Sequence, residues 1–307
     1  MAHYPCRFHV TSSPNHEIEE NEDIDDAFKL KKALTCYVLG YGGGLVSGDR
    51  INLDIYVKPK ASLVLTSQST SKAFKAIPGR RSTFVETKAK VSRGGLLFLV
   101  PQPLQCFGGS CFEQETHVVL EQLAECPTSD GIQEELDPSL LLVDWYTGGR
   151  RDQDGLWNFT TFRSTTTLSY SSDKFLEPNN GTSDLVFRDA TRLSGGESLM
   201  RHMQNFNVVC MVILIGPRVK AVAQRFIEKY SSRHSYDENA PAVERVKFVS
   251  NDTSSLDHNR GEGLNKNRDG LLVSCGTFQM KTKNNTGEGV VVRLAASTLE
   301  QAGKSED

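Results

Sequence analysis

The 307-residue chain contains no apolar run of the length a membrane-spanning helix needs, about 18 residues or more, so no membrane partner is expected. No basic segment followed by an apolar core stands at its start, so no secretory signal is expected and a cytoplasmic location is. The formal net charge of −3 is far from the strongly basic balance of a nucleic-acid binder, and no nucleic-acid partner is expected either. The seven cysteines include no C-x-x-C pair and lie mostly inside apolar runs, the pattern of reduced thiols acting as small hydrophobes. Cys106 and Cys111 flank Gly108-Gly109 and could approach one another, but no second pair follows to complete a zinc or nickel cage. The histidines show no H-x-x-x-H pairing. A G-x-S-x-G elbow and an H-E-x-x-H helix are both missing. Ser47 has no histidine near it in sequence, and Asp49 alone cannot activate it. A catalytic site would have to be assembled from distant parts of the chain.

What the chain does have is glycine in one place. Gly40, Gly42, Gly43, Gly44 and Gly48 fall within the stretch from Gly40 to Arg50, between an apolar run and the alternating Ile51–Val57. Glycine at this density serves positive φ or close backbone approach, and Gly43 and Gly44 are expected to refuse a β-branched residue. Gly43 and Gly48 have the outer spacing of a phosphate loop. That loop then needs Lys and Ser/Thr, whereas Asp49 and Arg50 follow here, and Asp49 would repel phosphate. Read by itself, the stretch is a wide turn joining two strands.

Around it the pattern is of strands. Ile51, Leu53, Ile55 and Val57 point one way and Asn52, Asp54 and Tyr56 the other; with the turn at Pro59-Lys60 and the return at Ser62–Thr66 this predicts a hairpin. Further strands are predicted at Phe84–Val91, Leu96–Val100, Cys111–Leu120, Leu140–Tyr146 and Trp157–Tyr170. Phe206–Ile215 is too apolar to face water and predicts a central strand, and Leu271–Phe278 and Gly289–Ala295 predict closing strands. One helix is predicted at Arg218–Tyr230, with Pro217 at its first turn and Val219, Val222, Ala223, Phe226, Ile227 and Tyr230 forming an apolar stripe. Residues 1–30 read as an acidic, poorly ordered arm, 31–297 as a single β domain with polar loops at 231–242 and 251–269, and 298–307 as a disordered tail. Lys72, Lys75, Arg80 and Arg81 form a basic cluster that is either a solvated loop or an anion or partner site.

The glycine stretch Gly42-Gly43-Gly44-Leu45-Val46-Ser47-Gly48-Asp49 resembles the signature of the UreD (UreH) family of urease accessory proteins. Other motifs arrive in the family's order. Leu65–Lys72, with Gln68 and Lys72, resembles its T-Q-x-x-T-K segment. Phe98–Pro103, with Pro101 and Pro103, resembles its L-P-Q-P segment. Asp144–Arg150, with Trp145, Gly149 and Arg150, resembles its W-x-x-G-R segment. Pro78-Gly79-Arg80-Arg81 looks like the fungal branch. The resemblance implies a large β-helix-like or sandwich body with one or two α-helices packed on it, and a scaffold rather than an enzyme. It further implies binding to a UreF-like accessory protein and, through it, a UreG-like GTPase. The assembly would deliver nickel to apo-urease, with no tightly bound cofactor and nickel held only transiently. A nickel passage needs weak oxygen or nitrogen donors, since a thiolate cluster would trap the ion. Asp49 and Asp144 are the acidic residues inside matching segments and are the candidate lining, with Thr66–Ser71 as a candidate wall. Each aspartate equally suits a turn-capping hydrogen bond. The rival expectations are an all-β interaction module without a metal role, and an all-β enzyme with an unrecognised site.

Overall fold

The computed structural model describes residues 6–12, 33–40, 42–121, 137–150, 153, 155–171, 183–203, 206–231, 246–250, 270–281 and 286–298. Two sheets hold most of them. The larger sheet follows the order β1 (Cys6–Ser12), β2 (Leu34–Gly40), β4 (Ser62–Ser67), β7 (Leu96–Leu99), β10 (Ser139–Thr147), β13 (Val208–Ile215), β16 (Thr286–Ala296), β15 (Gly270–Lys281), β14 (Val246–Ser250). Two short strands, β5 (Ser71–Ala73) and β8 (Leu104–Cys106), attach to it through β10. The smaller sheet runs β12 (Ser183–Ser194), β11 (Thr161–Ser171), β9 (Cys111–Glu121), β6 (Thr83–Val91), β3 (Arg50–Val57).

The chain crosses between the sheets again and again. Strands β2, β4, β7 and β10 pair in parallel in the larger sheet, and β3, β6, β9 and β11 pair in parallel in the smaller one. Each circuit therefore lays one strand on each face, which is a β-helix-like winding. After β11 the pattern changes. β12 turns back antiparallel, and β13, β16, β15 and β14 extend the larger sheet antiparallel. The mainly β body expected from the sequence is present, and both parts of its description, helix-like and sandwich, apply.

The winding overturns the predicted hairpin. Ile51–Val57 and Ser62–Thr66 are strands, but β3 pairs with β6 and β4 with β2 and β7, in different sheets. The Pro59-Lys60 turn is a corner between faces: Lys60 takes φ 61° and Ala61 donates to Lys58 O. A local alternation gives the two strands and not their partners, because pairing is decided by the next circuit of chain. The predicted strand from Trp157 also begins late, at Thr161. Trp157 sits instead in a turn at φ 60° with no surface exposed. Within the stretch read as an arm, Cys6–Ser12 forms β1, antiparallel to β2. The acidic run, the polar loops (apart from Ser231) and residues 299–307 lie outside the described residues.

Among the described residues, three large apolar clusters and one small one, Val208 with Ala296, pack this frame. Between the sheets, Leu65, Leu97, Leu99, Leu140, Leu142 and Ile213 of the larger sheet meet Val57, Ala89, Val91, Val118, Leu120 and Leu168 of the smaller. On the other face of the larger sheet, Cys210, Val212, Leu214, Val290, Val292 and Leu294 are covered by α2 (Lys220–Ser231) through Ala223, Phe226 and Tyr230. α2 follows a single 3-10 turn at Pro217–Val219, so the predicted helix is present with a tighter first turn. β13 faces apolar neighbours on both sides, as its unbroken apolar run requires. The short helix α1 (Glu197–Met203) had no expectation, and none of its residues is buried. The third cluster, at one end of the sandwich, is aromatic: Phe112, Tyr146, Trp157, Phe159 and Phe162.

Candidate functional site

The aromatic end is where the four sequence motifs meet. Leu45 of the glycine stretch forms a parallel bridge with Ala73, and its N–H donates to Lys72 O at 2.7 Å. The approach is close enough that a Cβ on Gly44 would lie 2.6 Å from Lys72 O and 2.8 Å from Lys72 Cβ. Of Gly43 and Gly44, Gly44 is thus the position that needs glycine for want of space. Gly43 meets only the Phe74 ring, at 3.7 Å, and the expectation that it refuses a β-branched residue has no steric basis.

β5, which carries Lys72, pairs with β8 directly after the proline segment, and β8 pairs in turn with Tyr146-Thr147 at the end of β10. The indole N–H of Trp145 donates to Pro101 O at 2.7 Å. Ser67 accepts from the Gln102 N–H at 2.9 Å, and Thr66 donates its hydroxyl to Val100 O at 2.8 Å. The hydroxyls of Thr66 and Ser67 are thus occupied by backbone, joining one motif to the next. Gln68 is exposed at the bend that follows and Lys72 is half-buried. Pro103 is buried and Pro101 half-buried.

The last motif closes the corner. Gly149 takes φ +105°, and a Cβ there would lie 2.6 Å from Cys106 O. Gly148 accepts the Trp157 N–H at 2.6 Å and donates its own N–H to Asn207 O at 2.9 Å. The Arg150 guanidinium stacks over the Phe107 ring at 3.8 Å, a cation–π contact. Trp157 and Asn207 were not singled out from the sequence. The bulky residue at positive φ that the turn requires leaves no local pattern.

The two candidate aspartates sit differently. Asp49 accepts the Val46 N–H at 2.9 Å in an exposed turn, and its own N–H donates to Val46 O at 3.0 Å, which is the capping role. Asp144 points between the sheets. Its Oδ1 accepts from Gln114 Nε2 at 2.7 Å and its Oδ2 from the Ser164 hydroxyl at 2.7 Å, both across the sandwich. Gln114 also donates to Ser164 Oγ at 2.9 Å. Burial raises the Asp144 carboxyl above the usual carboxylate range, against the hydrogen bonds of Ser164 and Gln114; the charge of Asp189 pushes it the same way as burial.

Asp144 belongs to a polar layer. Along β10, Leu140 and Leu142 join the apolar inter-sheet cluster on one side of it and Tyr146 the aromatic cluster on the other. Thr87, Ser164 and Thr166 are buried polar residues at the same level of β6 and β11. Asp144 is in register with Met211, and Met211 with Arg293, whose guanidinium reaches Asp189 of β12 at 2.9 Å. Gln114, Thr116 and Asp144 keep water-accessible surface although their strands lie inside their sheets, so the two faces are not close-packed here. The Arg293–Asp189 pair lies toward the edge, its side chains 37% and 24% exposed. A polar layer therefore crosses the sandwich from Gln114, Ser164 and Asp144 to an ion pair at the edge strand β12, with Asp144 and Ser164 contributing the oxygens and Gln114 an amide N–H. Carboxylate and hydroxyl oxygens of this kind give passing contact to a hard or borderline cation. Burial lifts the Cys106 thiol to about 12, against a hydrogen bond with Ser110, so it rests protonated in the aromatic cluster.

Fold and site together define a β-rich scaffold with one motif-built corner and a polar layer through its body. The family model of the UreD urease accessory protein matches residues 23–304, and the chain belongs to that family. Urease accessory protein D of Oryza sativa subsp. indica is 28% identical over 272 residues, 87% of this chain and 75% of that protein. A Schizosaccharomyces pombe protein named as urease accessory protein ureD-like is 29% identical over 202 residues, 64% of this chain and 63% of that one. Urease accessory protein UreD of Sorangium cellulosum is 30% identical over 197 residues, 64% of this chain and 54% of its own length. The resemblance seen in the four motifs therefore holds over most of the chain, and its role lies in urease maturation.

Proposed function

We propose that the chain is a non-enzymatic scaffold and metallochaperone subunit of a urease-activating complex. It binds a UreF-like protein and, through it, a UreG-like GTPase, and passes nickel toward apo-urease. The observation that carries this reading is the polar layer around Asp144. A hydrated Ni²⁺ ion in transit needs oxygen donors that hold it weakly, in a body otherwise packed with apolar side chains. Asp144 and Ser164 supply them, Gln114 orients both through its amide N–H, and the accessible surface left on Asp144 and Gln114 leaves room for water. The motif corner fixes the end of β10 that carries Asp144, which gives Trp145, Gly149 and Arg150 a positioning role and leaves the path itself to the oxygens. Asp49 stays with its turn. Cys36, Cys106 and Cys111 form no disulfide, which supports a reducing, cytoplasmic setting.

The test is urease activation at limiting nickel with Asp144→Ala, Asp49→Ala and the double variant, after each is shown to assemble with its partners. Asp144→Ala should activate more slowly and Asp49→Ala at the wild-type rate, with the double variant no worse than Asp144→Ala. Full activation by Asp144→Ala would take the polar layer out of nickel delivery and leave an interaction module. Turnover of GTP or urea by the purified chain would restore an enzymatic reading.

A further inference from the structure

The outward face of the smaller sheet brings together three side chains of the types that can ligate a metal, Glu86, Glu115 and His117. β6 and β9 run parallel with Glu86 opposite Glu115 and Lys88 opposite His117. Like charges directly opposite on neighbouring strands repel. Yet Glu86, Glu115 and His117 turn their ligand atoms together, all within 4.8 Å of one another. His117 Nε2 lies 3.3 Å from Glu115 Oε2. Lys88 Nζ lies 3.0 Å from Glu86 Oε1 and supplies the positive charge that the pair of carboxylates requires. These residues point away from the polar layer, because Gln114 and Thr116 alternate with Glu115 and His117 along the same strand.

We propose that Glu86, Glu115 and His117 form a surface site for a borderline first-row divalent cation, Ni²⁺ or Zn²⁺, with water completing the coordination. An imidazole nitrogen beside two carboxylate oxygens favours such ions over Mg²⁺ and Ca²⁺, which prefer oxygen alone. The sheet register fixes the three backbones before the ion arrives, so little ordering is lost on binding beyond side-chain rotation. The His117 and Glu115 side chains are 37% and 38% exposed and Glu86 22%, so an ion reaches them from solvent. Lys88, 40% exposed on a flexible stem, is a built-in competitor for Glu86 and swings into water when the cation binds. Such a site is weak and exchangeable. It stands apart from the proposed role in urease maturation, since binding is read on the purified chain without urease or its partners.

Calorimetric titration of the full chain with NiCl₂, ZnCl₂ and MgCl₂ tests it, alongside His117→Ala and Lys88→Gln. His117→Ala should lose one equivalent of Ni²⁺ and Zn²⁺, or bind it at least about tenfold more weakly, as losing a ligand should cost no less than losing a supporting partner. Lys88→Gln should tighten the same equivalent several-fold, and Mg²⁺ should give no comparable heat. Both positions face outward, so melting temperatures close to wild type are expected and confirm folded variants. Opposite shifts from the two substitutions cannot arise from a general loss of structure. Unchanged stoichiometry and affinity in His117→Ala, or weaker binding in Lys88→Gln, would overturn the site and leave two solvated ion pairs.

Discussion

Ser164 of β11 donates its hydroxyl to Asp144 of β10 at 2.7 Å, although these consecutive strands lie in different sheets. The contact spans the sandwich where apolar packing is interrupted, between the inter-sheet cluster and the aromatic end. Replacing Ser164, itself buried, by Ala leaves Oδ2 of the half-buried Asp144 without this donor. A lost hydrogen bond to a charged acceptor is worth about 1.5–3 kcal/mol, so Ser164→Ala should destabilise the chain by that order in urea unfolding. A loss below about 0.5 kcal/mol would mean that water replaces the hydroxyl, as a wetter layer would allow.

The glycine stretch makes a sharper prediction now than its sequence allowed. Gly44→Val should cost about 2–3 kcal/mol, since its side chain would press on the backbone of Lys72 and that strand is held by β8. Gly43→Val faces only the tip of the Phe74 ring and should cost less than about 1 kcal/mol. Thermal melting of the two variants separates them. Equal losses would show that the stretch is limited by its turn geometry and not by its contact with Lys72.

Much of this frame is legible in the sequence, because a strand's burial pattern is local. The alternation Ile51, Leu53, Ile55, Val57 reappears as the burial pattern of β3, and the apolar run before Ile215 as a strand packed on both faces. Partner choice is not local, and so the hairpin expected across Pro59-Lys60 is instead a corner of the β-helix. β12 carries only a short apolar run, Leu185-Val186-Phe187, and was not expected. As an edge strand with Arg188, Ala190 and Arg192 exposed, it needs only one apolar face, and its Asp and Arg residues hide the pattern. Of the two aspartates, the motif gave both equal standing. What distinguishes them is the strand opposite, where Gln114 and Ser164 wait for Asp144 and nothing comparable faces Asp49.

Trp145 links two motifs through a single hydrogen bond. Trp145→Phe keeps most of the aromatic packing with α2's cluster while leaving Pro101 O without its indole donor. The expected loss is about 1 kcal/mol, seen as a melting point lower by roughly 2 °C. Proteolysis near Pro101–Pro103 should also increase if the bond holds that segment to β10. An unaltered cleavage pattern would assign the segment's order to Ser67 and Gln102 instead.

The carboxyl of Asp144 should make stability depend on pH in an unusual direction. Burial raises its pKa, the hydrogen bonds from Ser164 and Gln114 lower it, and Asp189 raises it again, for a net rise from 3.8. The folded chain therefore holds this proton more tightly than the unfolded chain does. The resulting stability is fully present below the unfolded value and is lost as pH rises through the folded one. Most buried carboxylates with strong partners behave the other way. Asp144→Asn keeps the shape and one carbonyl oxygen but cannot ionise, so it should gain on the wild type as pH rises from about 4 toward 7. Urea unfolding of both proteins at several pH values gives the difference directly, because every other titrating group cancels. A constant difference would mean that the carboxyl titrates alike in both states, with burial fully offset by the hydrogen bonds and water around it. A growing one would mark Asp144 as a group kept at a cost to stability. Under the nickel reading the same Asp144→Asn variant should then be the more stable protein and the slower one in activating urease, since the amide offers a passing cation no charge.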